Sequence, residues 1–319
     1  MPTPRSFSHV LVPYDGSEPA RAALTLAIAL ARRGAALAIV TIVDETPVMA
    51  QSATTLVAFD PTPLMDALDS EGHALLDDAK AQCQAANVTP VVEIVHDRPV
   101  AGIIAAITAH ACDLVIMGTH ARTGVARTFL GSTTEGVLRM SSIPVLTVRS
   151  AGRIQPAPFG TALVAVDDSE PADAALAVGT MLASTAGTHI VACHVLETAH
   201  LYNNAIAYGF DPGPLAEEMR SESSAILKRA LARAALAPDT PVAMVDGDAV
   251  EAVLAAADER HVDVIVVGTH GRRGLRRLIL GSVAEHIVRS SPIPVLVVPQ
   301  SAGLRDELSA PQVGMQVEM

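Results

Sequence analysis

Gly118-Thr-His-Ala-Arg-Thr-Gly-Val-Ala-Arg-Thr-Phe-Leu-Gly131-Ser132 and Gly268-Thr-His-Gly-Arg-Arg-Gly-Leu-Arg-Arg-Leu-Ile-Leu-Gly281-Ser282 are one sequence written twice, 150 residues apart. Extended without a gap to Val148 and Val298, the two stretches are identical at 17 of 31 positions, more than shared composition gives. The chain is therefore two copies of one unit. The period divides it into a first domain over residues 1–150, a second over 151–300, and a polar tail over 301–319 that has no clear periodicity and is expected to be loosely ordered. Ala151 to Pro158 reads as the linker.

Half of the 319 residues are apolar, but aromatics are 3 % and Trp is absent. The core must then be Ala, Val, Leu and Ile, which suits helices layered on a buried sheet. A formal charge of −12 argues against general affinity for nucleic acid or anionic membranes, which is carried by Lys and Arg. Cys83, Cys112 and Cys193 form no Cys-x-x-Cys pair and read as packing residues of a reduced, cytoplasmic protein. The first residues reach a strand at once, and the most apolar helical stretch, Ala20 to Ala31, is too short for a bilayer.

Strand and helix signals alternate through both copies. In the first, strands are expected over His9–Tyr14, Ala36–Val43, Pro90–His96, Asp113–Met117 and Pro144–Val148, with helices over Glu18–Arg33, Leu64–Ala86, Val100–Ala111 and Ser132–Met140. The second repeats the order with strands Ala162–Val166, His189–Leu196, Val242–Val245, Asp263–Val267 and Pro294–Val298, and helices Pro171–Ala186, Pro214–Ala235, Ala249–Arg260 and Ser282–Ser290. Strands joined by crossover helices run parallel, with helices on both faces. The expected architecture is α/β: two tandem open five-stranded parallel sheets.

Ligands of such sheets bind beyond the carboxyl ends of the strands. Gly118 and Gly268 are expected just after the fourth strands, where a missing Cβ would allow positive φ and close approach to a ligand. Ser132 and Ser282 open the next helices, whose unpaired N–H groups and dipole favour an anion. Arg272, Arg273, Arg276 and Arg277 lie between in the second copy, and guanidinium groups can grip phosphate bidentately. Ligand-free readings stand beside these. Ser132-Thr-Thr-Glu135 and Ser282-Val-Ala-Glu285 fit a capping box, the glycines fit an ordinary turn, and the arginines fit a solvated face. His120 and His270 could donate to phosphate or pack the loop.

The spacing Gly-x2-Gly-x9-Gly-Ser, intact at Gly268, Gly271, Gly281 and Ser282, resembles the nucleotide-binding signature of the universal stress protein family. The openings Val12-Pro13-Tyr14-Asp15-Gly16-Ser17-Glu18 and Val164-Ala165-Val166-Asp167-Asp168-Ser169-Glu170 are similar to that family's first-strand loop. The resemblance covers His9 to Arg149 and Thr161 to Pro299. It implies strand order 3-2-1-4-5 in each copy, Rossmann-like, with ATP, ADP or AMP at the ends of strands one and four. Asp15 and Asp167 would lie by the ribose or adenine, with Pro13, Tyr14, Ala165 and Val166 beside them and Ile42 and Val195 against the base. Gly268, His270, Gly271, Arg272, Gly281, Ser282 and Val283 would hold the phosphates in the second copy, and Gly118, His120, Gly131, Ser132 and Thr133 correspond in the first. Mg²⁺ would enter only with its nucleotide. The two copies would pack through their fifth strands as an intramolecular pseudo-dimer; whether two chains then associate as a homodimer is open.

The first copy departs from the signature at Ala121, and only Arg122 and Arg127 occupy its loop. If that position needs a left-handed backbone, Ala costs about 1–2 kcal/mol, or about tenfold in affinity. The second copy is therefore expected to be the better site. A stress-responsive nucleotide-binding regulator is the leading reading. A slow ATPase or adenylyl-transferring enzyme is the alternative, against which stand the lack of a Gly-x4-Gly-Lys-Ser/Thr loop and the placement of Lys80 and Lys228 on helices far in sequence from the motif. An interaction protein with vestigial sites is the third.

Overall fold

The computed structural model describes residues 6–49, 60–119, 130–149, 159–198, 205, 207–269 and 280–303. The first copy runs β1 (His9–Pro13), α1 (Glu18–Ala31), β2 (Ala36–Val43), α2 (Thr62–Ala85), β3 (Val91–His96), α3 (Pro99–Ala109), β4 (Leu114–Gly118), α4 (Ser132–Met140) and β5 (Val145–Val148). The second runs β6 (Thr161–Ala165), α5 (Glu170–Ala186), β7 (His189–Leu196), α6 (Gly213–Arg233), β8 (Val242–Asp246), α7 (Ala249–Glu259), β9 (Val264–Gly268), α8 (Ser282–Ser290) and β10 (Val295–Val298). A 3₁₀ turn over Gln300–Gly303 follows. Residues 151–158 and most of the tail lie outside the described residues.

The strands form one ten-stranded sheet, in the order β3-β2-β1-β4-β5-β10-β9-β6-β7-β8. This corrects the expectation of two separate sheets. Each half keeps the order 3-2-1-4-5 in parallel, but the fifth strands have unpaired edges and meet. Val295, Leu296 and Val297 of β10 lie antiparallel to Thr147, Leu146 and Val145 of β5. Burying two apolar edges against each other satisfies both rows of backbone groups. The Thr147 hydroxyl adds a bond across the seam, donating to the Val295 carbonyl at 3.0 Å. Because the seam is antiparallel, the carboxyl ends of β1–β5 and of β6–β10 point in opposite directions.

One sheet face carries α1, α2, α5 and α6, the other α3, α4, α7 and α8, and aliphatic side chains fill both layers. Repeated polar devices set the strand register. Asp113, before β4, accepts from the backbone N–H groups of Ser8 and His9 at 2.8 and 3.0 Å. Asp263 does the same for Gly160 and Thr161 at 2.8 and 3.0 Å. Ser17 and Ser169 cap α1 and α5 by accepting from the N–H of Ala20 and Ala172. The residue before each cap turns through positive φ: Gly16 at 72° and Asp168 at 64°. Asp168 lacks the freedom of Gly there, and it is held by Arg229 and Arg233 at 2.8 and 2.9 Å.

Candidate functional site

At the carboxyl ends of β1, β2 and β4 lies a cavity of about 550 Å³. Among the first-copy positions read from sequence, Pro13, Tyr14, Asp15, Ile42, Gly118, Gly131, Ser132 and Thr133 all border it. Residues 13–15, 42, 118 and 131–133 come from four segments, brought together because parallel strands end at one edge. The far wall is α2, through Leu68, Glu71, Gly72 and Leu75. Sequence reading missed that wall: the amphipathic pattern of α2 says it packs on the sheet but not which turn faces the cleft. His120, His270, Gly271 and Arg272 lie outside the described residues.

The strand-one turn is built alike in both copies. Asp15 accepts from the Ser17 N–H at 3.0 Å, and Asp167 from the Ser169 N–H at 3.2 Å and its hydroxyl at 2.5 Å. The carbonyl of the preceding residue is held from β2 or β7. The buried Thr41 hydroxyl donates to the Tyr14 carbonyl at 2.9 Å, and His194 Nδ1 to the Val166 carbonyl at 2.6 Å. His194 is therefore protonated at Nδ1 and serves the turn. Ala165 ends β6, while Val195 lies one residue before the end of β7, in the positions that Pro13 and Ile42 take in the first copy.

Tyr14 borders the cleft while its ring is buried between sheet and helices, and its hydroxyl bonds to Asp78 and, at 3.0 Å, to Gln82 of α2. Burial, then the hydrogen bond to Asp78, pushes the phenol from 10 up to about 12. Its side chain fastens α2 to the strand-one turn.

Two further readings change. Gly118 and Gly268 are the last residues of β4 and β9 rather than the first of a loop, and neither has positive φ. A Cβ on Gly118 would stand 2.6 Å from Pro19 Cβ, and one on Gly268 2.7 Å from Pro171 Cβ. Glycine is needed there because α1 and α5 begin against the strand ends. The capping boxes are also absent. Gly131 and Gly281 are the N-caps, Ser132 and Ser282 are already helical, and neither cap makes a side-chain hydrogen bond. Glu135 pairs instead with Arg139 at 2.7 Å, and Glu285 with Arg289 at 2.6 Å, one turn on.

The N-termini of α4 and α8 thus have no side-chain cap among the described residues, and the N–H groups and dipole of such an end favour an anion. Ser132 and Thr133 bring hydroxyls to this end of the cavity. Thr134 donates its own to the Gly118 carbonyl at 2.9 Å, fixing helix to strand. Gly131 and Gly281 close the loop by donating to the Thr119 and Thr269 carbonyls at 2.9 and 2.7 Å. Val283 replaces Thr133 in the second copy and is 42 % exposed. The described lining holds three carboxylates, Asp15, Asp44 and Glu71, and no cationic side chain. Among the described residues no group of three or more His, Cys, Asp or Glu could hold a metal, and no helix is long and apolar enough to cross a membrane.

The family model described as "Universal stress protein family" matches residues 6–149 and again 158–299. A universal stress protein of Mycobacterium tuberculosis is 29 % identical over 214 residues, 66 % of this chain and 68 % of its own. One from Thermus aquaticus is 33 % identical over 150 residues, which is 44 % of this chain but 98 % of that shorter protein. The crystal structure of a universal stress protein from Archaeoglobus fulgidus superposes with a TM-score of 0.67 at 22 % identity, covering 92 % of this chain and 98 % of that one. At that identity the likeness bears on the fold.

Proposed function

The chain belongs to the universal stress protein family, and from that premise we propose that it is a cytoplasmic, stress-responsive regulator that binds adenine nucleotide at the carboxyl ends of its strands. The cavity carries this reading. Eight residues that the family resemblance assigns to the site, scattered from Pro13 to Thr133, line one space of about 550 Å³, within the usual range for a small-molecule site. In it, Asp15 offers a carboxylate to ribose hydroxyls, and the aliphatic end of β2 at Ile42 offers a surface to the base. The uncapped N-terminus of α4, with Ser132 and Thr133, takes phosphate. ATP is the proposed ligand, with Mg²⁺ arriving on it; ADP and AMP fit the same chemistry.

The second copy is proposed as the tighter site. Its sequence has Gly271 where the first has Ala121, and four arginines where the first has two. Asp167, Ala165, Val166, Val195, Gly281 and Ser282 take the roles of their first-copy counterparts. The seam of β5 and β10 supports reading one chain as a fused pair of subunits, an intramolecular pseudo-dimer. Mass spectrometry of the natively purified protein tests the ligand: bound adenine nucleotide is expected, in greater amount in a chain carrying Ala121→Gly. A protein that purifies empty and does not take up ATP, ADP or AMP contradicts the reading.

A further inference from the structure

His96 ends β3 beside the first cleft, and its ring stands between two carboxylates. Nδ1 donates to Glu45 Oε1 at 2.8 Å, while Nε2 lies 3.5 Å from Asp69 Oδ1. Asp69 Oδ1 is buried and makes no hydrogen bond among the described residues. With Nδ1–H committed to Glu45, a neutral ring presents a lone pair to that oxygen, and only the imidazolium can donate to both carboxylates. Leaving a buried oxygen unpaired is costly.

The two carboxylates are carried by the segments that form opposite walls of the cavity, although neither lines it. Glu45 follows Asp44 at the end of β2, and Asp69 sits on α2 between the lining residues Leu68 and Glu71. The second copy repeats only the strand-end half of this arrangement, and without histidine: Thr198, in the place of Glu45, donates its hydroxyl at 2.5 Å to Asp246, in the place of His96. Around the His96 ring, the segment after β2 supplies Asp44 and Glu45. Helix α2 supplies Asp69, with Asp66 and His73 a turn away on either side, and the chain after β3 supplies Asp97 and Arg98; β2 itself contributes no titratable group.

We propose that His96 is a proton-operated clasp on the first cleft: protonated, it joins Glu45 to Asp69 and holds α2 against the end of β2; neutral, it releases Asp69 and loosens the α2 wall. The ligand side of this inference rests on the nucleotide reading above, while the clasp itself does not. The second cleft, which has Asp246 in the place of His96, carries no such control.

Hydrogen exchange of the ligand-free full chain, corrected for intrinsic rate, tests the clasp at about pH 5.5 and about pH 8, the range over which histidine changes charge. Peptides from residues 62–75 are expected to be more protected at the lower pH in the wild type. In Asp69→Asn, whose amide can donate to a neutral Nε2, they are expected to be equally protected at both. Calorimetric titration with ATP, in an Asp167→Ala background that confines binding to the first cleft, is expected to show about fivefold weakening toward high pH, the lower end of ordinary coupling between sites. Asp69→Asn should remain tight and His96→Asn weak at both values. The protonation of ATP itself is common to all three proteins and cancels between them. Equal protection of 62–75 in the wild type at both pH values overturns the clasp, as does one shared pH profile for the three proteins. An absence of ATP binding alongside pH-dependent protection would contradict the nucleotide reading and leave the clasp standing.

Discussion

Pro171 fills the space into which a side chain on Gly268 would project: a Cβ there would lie 2.7 Å from both the Cβ and the carbonyl oxygen of Pro171. Pro19 stands in the same way over Gly118, with its Cβ at 2.6 Å and its carbonyl carbon at 2.9 Å. These glycines let a helix start against a strand end. Gly268→Ala is therefore expected to destabilise the fold by about 1–3 kcal/mol, the usual cost of overpacking, and Gly118→Ala likewise. Denaturant unfolding checks this; unchanged stability with lost nucleotide binding would return both glycines to the ligand.

Tyr14→Phe is expected to cost about 1 kcal/mol, a typical net hydrogen-bond contribution, because its hydroxyl ties β1 to Asp78 and Gln82. The pH dependence has a definite sign. The folded phenol ionises at about 12 against an ordinary 10, so the folded state holds its proton more tightly than the unfolded chain. That contribution is full below about pH 10 and is lost as pH rises through about 12. Chemical unfolding across the alkaline range should show a steeper loss in the wild type than in Tyr14→Phe.

Asp168 combines a left-handed backbone with two arginine partners, and substitutions separate the two. The hydrogen bonds from Arg229, then Arg233, hold its carboxyl below the usual value. The stability it contributes is present above the unfolded carboxylate value and is lost as pH falls through the folded one. Asp168→Ala loses the partners and keeps the strain, and is expected to cost about 1 kcal/mol. Asp168→Gly, the residue found at Gly16, loses the partners but relieves the strain and should fall closer to the wild type. Equal losses in Tm for the two variants would contradict this account.

Thr147 carries a side-chain bond across the seam, to the Val295 carbonyl. Thr147→Val keeps the shape and leaves that carbonyl to its ladder partner, with an expected loss of about 1 kcal/mol. Because the ten strands are continuous, a single cooperative transition is expected in both proteins. Separate melting of the two halves in the wild type would contradict the continuous sheet.

Much of the architecture could be read from the chain because the signals were local and repeated. Glu18-Pro19 and Glu170-Pro171 start helices, and short, nearly continuous apolar runs such as Ala36–Val43 read as strands buried on both faces. The union of the sheets could not be read in the same way. It depends on Val145–Val148 finding Val295–Val298 across 150 residues of sequence, and apolarity says that an edge seeks a partner without naming its direction. The site divides similarly. The glycines and serines stand out as a spaced motif, but their reasons for being there do not: Ser-x-x-Glu matches a capping box even where the glutamate has an arginine one turn on. Tyr14 lies in a loop motif while its ring packs elsewhere. Thr41, His194 and the α2 wall, from Leu68 to Leu75, carry no motif, since a helix shows its buried stripe but not which turn overhangs a strand end.

The central claim, that the clefts at the strand ends take adenine nucleotide, is tested most directly by calorimetric titration of the purified chain with ATP, beside Asp15→Ala, Asp167→Ala and the double variant. The account predicts saturable binding in the wild type, loss of one binding event in each single variant with the tighter event lost in Asp167→Ala, and no binding in the double variant. ATP binding that survives in the double variant, or a wild-type chain that binds none, would contradict it.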